Sequence, residues 1–139
     1  MHKAALEHDM DSAQRIRVLL VDDSAVFRRT MRSILAFHSI EVVGEASDGH
    51  EAVELVKQLQ PTVVLMDIYL NQTMDGIATT RIITQHYPQV AILGLSLDTR
   101  PYVVSAMEQA GALQVLSKDQ RGQEVYEAIQ RAASRMDNG

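Results

Sequence analysis

The chain of 139 residues has no cysteine, few aromatics and no surplus of positive charge. The missing cysteine excludes disulfides, thiolate metal sites and a cysteine nucleophile. Aromatic residues are only 4% of the chain against 46% hydrophobic, so the core must be built from aliphatic side chains. A formal net charge of -5 argues against a nucleic-acid surface, because holding phosphates takes clustered Lys and Arg. No apolar run approaches membrane-spanning length. The opening residues, MHKAALEHDMDSAQR, lack the apolar centre of a signal peptide, so the cytoplasm is the simplest address and no membrane contact is expected.

What is present is a regular alternation. "RVLLVD" is short, continuous and aliphatic, the pattern of a parallel strand buried on both faces. "SAVFRRTMRSILAF" carries Phe27, Met31, Ile34 and Leu35 at helical spacing behind a capping Ser24. "IEVVGEA" reads as the second strand. Asp48 caps a helix with Ala52, Leu55 and Val56, and Pro61 follows its end. "TVVLMD", "VAILGLS" and "LQVLS" read as the remaining strands. "DGIATTRIITQHY", "RPYVVSAMEQA" closed by Gly111, and "QEVYEAIQRAASRM" read as the remaining helices. Five strands alternating with five helices predict an α/β fold, a three-layer doubly wound five-stranded parallel sheet. Residues 1–14 read as a flexible N-terminal tail, with a short helix allowed at "KAALEH". Residues 15–139 read as one domain whose final "DNG" should fray.

The polar residues fall at strand ends. Asp22 and Asp23 end the first strand, Asp67 the third, Ser96 the fourth and Lys118 the fifth. In an open parallel sheet, ligands bind in the crevice beyond the carboxyl ends of the strands. If the first and third strands are neighbours, their carboxylates converge and repel, and a hard divalent cation relieves that repulsion. Mg²⁺ suits carboxylates, a backbone carbonyl and retained water. Lys118 cannot ligate a metal, but its ammonium suits a carboxylate or a phosphoryl oxygen. Taken singly, each residue is more often a loop residue, a cap or a solvated charge. As a set, they share one end of the sheet and fit one small site.

The segments "VDDS", "VLMDI", "MDGI", "GLS" and "LSKD", in this order, resemble the receiver domain of bacterial two-component response regulators. The likeness runs from about Val18 to Ala132. "DDSAVFRRTMRSIL", "VVGEASDGHEAVEL" and "GALQVLSKD" look closest to the NarL/FixJ-type branch. The resemblance implies a flavodoxin-like (CheY-like) fold with strand order 2-1-3-4-5. It implies Asp67 as phosphoacceptor, and Mg²⁺ held by Asp22, Asp23, Asp67 and the backbone carbonyl of Tyr69. Ser96 would bind a phosphoryl oxygen, and Lys118 would pair with the phosphoryl group and Asp67. The implied donor is a sensor histidine kinase or phosphotransfer domain. The implied output surface is the fourth helix, fifth strand and fifth helix, roughly residues 100–131, serving a partner, an effector domain or a homodimer. No enzymatic activity is expected beyond self-phosphorylation and autodephosphorylation. No DNA-binding domain follows the last helix, so the expectation is either a stand-alone regulator or one domain of a longer protein.

The chain departs from the family pattern in places. Val115 occupies the position, three residues before Lys118, where the family usually carries Tyr or Phe, so the usual inward turn of a ring cannot occur. Tyr102 is one candidate substitute, although an exposed helix tyrosine is the commoner outcome. Asn71 stands where the family commonly has Pro, which would have fixed φ. Tyr69 and Asp98, each two residues beyond a site residue, occupy positions that modulate phosphoryl lifetime in the family. Arg28, Arg29 and Arg32 read as a solvated helix face, with kinase docking as the alternative. The five histidines, including His38, His50 and His86, read as surface residues. Three rival functions fit the residues less well. A haloacid-dehalogenase-type phosphatase wants a second Asp two residues after the nucleophile, where Tyr69 stands. A flavodoxin would bring phosphate to a loop whose "DDSA" repels it in the absence of metal. A receiver-like interaction module working without phosphorylation would fit a missing acceptor, acidic pair or lysine, and all are present.

Overall fold

The computed structural model describes residues 15–70 and 74–138, with side chains described through Arg135. The expectations for residues 1–14 and for Asn71 lie outside these residues. The strands are β1 (Arg17–Val21), β2 (Glu41–Ala46), β3 (Val63–Asp67), β4 (Ala91–Ser96) and β5 (Gln114–Ser117). The helices are α1 (Ala25–Phe37), α2 (Gly49–Leu59), α3 (Gly76–His86), α4 (Pro101–Ala110) and α5 (Gly122–Asn138). All pairings are parallel, in the order β2-β1-β3-β4-β5. This is the expected doubly wound α/β sheet, with the switch point between β1 and β3.

The aliphatic strands divide by their two-residue period into two faces. Val18, Leu20, Val63, Leu65, Leu93 and Leu95 face Met31 and Leu35 of α1 and Val125, Ile129 and Ala132 of α5. Leu19, Val21, Val64, Met66 and Ile92 face Ala52 and Val56 of α2, Ile83 of α3, and Val103 and Met107 of α4. A run such as "VVLM" is therefore apolar throughout because both sides of the sheet are covered. The helix starts follow capping chemistry. The side chains of Ser24, Asp48 and Asp75 accept the amides of Phe27, Glu51 and Ala78. The start of α4 is different: Arg100 makes no side-chain cap bond, and Pro101 opens the helix.

β2 is the edge strand that the expected order requires, with Glu41 exposed and four half-buried residues, and its pairing with β1 skips Val43. Two readings need correction. The last helix does not fray at Asp137 but continues through Asn138; neither residue is a strong helix breaker. His38 is no free surface residue, because its ring stacks on Tyr126 of α5 at 4.3 Å.

Candidate functional site

β1 and β3 are neighbours, with Val21 opposite Met66, so the next residues, Asp22 and Asp67, emerge side by side. Asp22 is 2% exposed and Asp67 4% exposed, while Asp23 is half-buried. Oxygens of Asp22, Asp23 and Asp67 lie within 4.8 Å of one another, an arrangement that could hold a metal ion. β4 and β5 extend the row. Ser96, 1% exposed, ends β4, and its carbonyl accepts the amide of Lys118 at 2.9 Å.

Asp22 is held at each polar group. Its amide donates to the Ala46 carbonyl at 3.0 Å, and its Oδ1 accepts the Ser24 amide at 2.8 Å. Its carbonyl accepts Arg28 Nη1 at 2.5 Å, and its Oδ2 accepts Lys118 Nζ at 2.6 Å. Lys118 Nζ also lies 3.5 Å from Asp67 Oδ2, and 4.4 Å over the Phe27 ring. The resemblance pairs Lys118 with Asp67; in the structure Asp22 is the nearer partner and Asp67 the second. A single ammonium thus serves two buried carboxylates.

That counter-charge is incomplete. Burial, then the neighbouring Asp22 charge, pushes the Asp67 carboxyl up to about 6, against the opposing pull of Lys118. The Tyr69 amide steadies Asp67 by donating to its Oδ1 at 3.2 Å. Behind this turn, Gly76 donates its amide to the Ile68 carbonyl at 2.9 Å, and a Cβ there would collide with the Asp67 carbonyl and the Ile68 Cα. Gly76→Ala is therefore expected to destabilise the fold by about 2–3 kcal/mol, because backbone atoms cannot yield as a flexible side chain can. Urea unfolding tests this, and a change below about 0.5 kcal/mol would contradict it.

Two sets of contacts are not written in the sequence. Arg28 is not solvated: it bridges the Asp22 carbonyl and Glu45 Oε1, the latter at 2.9 Å. Arg32 binds the other Glu45 oxygen at 2.8 Å, and both arginines, Arg32 foremost, hold the Glu45 carboxyl below its usual range. Arg29 and Arg32 are exposed as the solvated-face reading expects, and only Arg28 of the three departs from it. The legible signal was spacing, since Arg28 lies three residues before Met31 on the buried stripe. The second group is exposed. Tyr69 Oη donates to Asp98 Oδ2 at 2.9 Å, Arg100 binds the same carboxylate through Nε and Nη2, and its guanidinium lies 4.9 Å over the Tyr102 ring. The Asp98 amide donates to Ser96 Oγ at 2.9 Å. Arg100 depresses the Asp98 carboxyl well below the usual range, and Asp98 in turn raises the Tyr69 phenol. No sequence spacing joins Tyr69 to Asp98, which come from different strand-end loops. Val115 is half-buried and packs toward the α2–α3–α4 side of the core.

Among the described residues no helix is long and apolar enough to cross a membrane. The family profile of the response regulator receiver domain matches residues 18–130. The chain is 41% identical over 121 residues to the transcriptional regulatory protein LiaR of Bacillus subtilis, covering 86% of this chain and 56% of that protein. It is 43% identical over 106 residues to a protein-glutamate methylesterase/protein-glutamine glutaminase of Photobacterium profundum, covering 74% of this chain and 26% of that protein. The chain thus spans about half the length of the regulator and about a quarter of the methylesterase. The signal receiver domain of NarL from Mycobacterium tuberculosis superposes with a TM-score of 0.81 at 32% identity, covering 86% of this chain and 97% of that domain. Fold, strand order and sequence agree, and the chain belongs to the response regulator receiver domain family.

Proposed function

We propose that this domain is a phosphoacceptor switch: Asp67 takes a phosphoryl group from the phosphohistidine of a sensor histidine kinase or phosphotransfer domain. The observation that carries the reading is the convergence of Asp22, Asp23 and Asp67 on one point with Lys118 alongside. An Asp67 oxygen attacks phosphorus, and the bond from phosphorus to the imidazole nitrogen of the donor breaks. The imidazole leaves with that electron pair and remains on the donor. In the reverse direction of signalling, water attacks phosphorus and Asp67 departs as carboxylate.

The acidic set is a hard oxygen site and fits Mg²⁺ held by Asp22, Asp23, Asp67 and the Tyr69 carbonyl. Bound there, the ion would supply positive charge for the transferring phosphoryl oxygens. Lys118 supplies a second positive charge from the β5 side, and Ser96 offers its hydroxyl from the end of β4. The Ser96 hydroxyl already accepts the Asp98 amide, so its proton is available to a phosphoryl oxygen. The added charge biases an output face of α4, β5 and α5 between two packings, and the partner, a protein, an effector domain or a second copy, must prefer one of them. The chain acts in the cytoplasm, contacts neither nucleic acid nor membrane itself, and catalyses nothing beyond its own phosphorylation and dephosphorylation.

Intact mass spectrometry tests the reading. Incubation with Mg²⁺ and acetyl phosphate or phosphoramidate is expected to add one phosphate to the wild type and none to Asp67→Asn. No adduct at saturating donor and Mg²⁺ would sink the phosphoacceptor mechanism and favour an interaction module that works without it.

A further inference from the structure

We propose that Tyr69, Asp98, Arg100 and Tyr102 form a clasp that transmits the chemical state of Asp67 to the first turn of α4. The inference rests on the phosphoacceptor reading and goes beyond it. The clasp is anchored to the site at both ends. Through Tyr69, its main-chain amide binds Asp67 Oδ1 while its phenol binds the Asp98 carboxylate. Through Asp98, its main-chain amide binds Ser96 Oγ while its carboxylate binds Arg100. A group on Asp67 that draws the Ser96 hydroxyl away therefore removes the acceptor of the Asp98 amide, and occupancy of the Asp67 oxygen alters the partner of the Tyr69 amide.

Two features direct that disturbance to α4. Arg100 is the N-cap residue, and its guanidinium, which has no acceptor with which to cap the helix, instead binds Asp98 and lies over the Tyr102 ring. Tyr102, 64% exposed, lies in the first helical turn behind Pro101. The helix start is thus tied to the loop after β4 by the Arg100–Asp98 pair rather than by its own cap. Val115 provides no ring that could do this from β5, being a half-buried aliphatic residue packed into the core.

The test uses the full ¹⁵N-labelled chain with Mg²⁺ and fluoroberyllate, a stable mimic of the aspartyl phosphate, read by amide chemical shifts. In the wild type, amides of Ile68, Ser96 and Asp98 are expected to shift together with those of Tyr102 to Val104. In Arg100→Gln and in Tyr69→Phe, which keeps the ring and loses the phenol donor, the Ile68 and Ser96 shifts persist and the α4 shifts are lost. Both side chains are exposed, and unchanged thermal melting checks that the fold is intact. Full α4 shifts in both variants would overturn the clasp alone. No response at Ile68 or Ser96 in the wild type would overturn the phosphoacceptor reading, and the clasp with it.

Discussion

Asp67→Asn is expected to make the metal-free protein more stable than wild type at pH 8, by about 2 kcal/mol. Asp67 in the folded protein keeps its proton up to about pH 6, whereas its unperturbed value is 3.8. Between these values the folded state binds a proton that the unfolded state has released, so stability falls as pH rises through this window and stays lower above it. A shift of this size corresponds to about 3 kcal/mol, reduced here to about 2 for solvent screening beside the half-buried Asp23. The amide of asparagine removes the charge at nearly constant volume. The advantage of the variant should vanish near pH 4, where wild-type Asp67 is protonated. Mg²⁺ should reverse the order at pH 8, since a ligand at about a hundred times its dissociation constant adds about 2.7 kcal/mol to the form that binds it. Urea unfolding with a chelator and then with Mg²⁺ measures both effects. Equal stabilities in chelator at pH 8, or equal gains from Mg²⁺, would show that the buried carboxylates are balanced in some other way.

Lys118→Met is expected to act in the opposite sense on stability and to abolish most of the chemistry. Methionine retains an unbranched stem beside Phe27 and removes the one ammonium that lies 2.6 Å from Asp22 and 3.5 Å from Asp67. Leaving two buried carboxylates without that cation should cost about 3 kcal/mol in the metal-free protein. Phosphorylation from acetyl phosphate should slow by about 10²–10³-fold, the scale for losing one fixed charge at a developing anion. Affinity for Mg²⁺ should rise, because the ion no longer competes with the ammonium for Asp22. Calorimetric titration and phosphorylation kinetics on one preparation separate these effects. Unchanged Mg²⁺ affinity would mean that Lys118 does not compensate the acidic set, and an unchanged rate would remove it from the phosphoryl site.

Much of the fold was legible because local and global demands coincide. "VVLM" can be apolar at consecutive positions only if both faces are covered, and Ser24, Asp48 and Asp75 mark helix starts by chemistry that needs no tertiary partner. The site's acidic set was legible for a related reason. A parallel sheet places the ends of its strands on one side, so residues that end β1, β3, β4 and β5 are gathered by topology alone.

What the sequence by itself determined was the order of elements, the two apolar faces and the identity of the residues at the carboxyl edge. Only the tertiary structure decided how those residues share charge: Lys118 lies closer to Asp22 than to Asp67, and Arg28 turns inward to the Asp22 carbonyl with Glu45 behind it. It also joined Tyr69 to Asp98, 29 positions apart. The physical reason is range. Periodicity and capping act within a few residues and can be read along the chain. Hydrogen bonds between side chains on separate loops depend on distances of about 3 Å, which are set only when the packed sheet fixes where each loop begins.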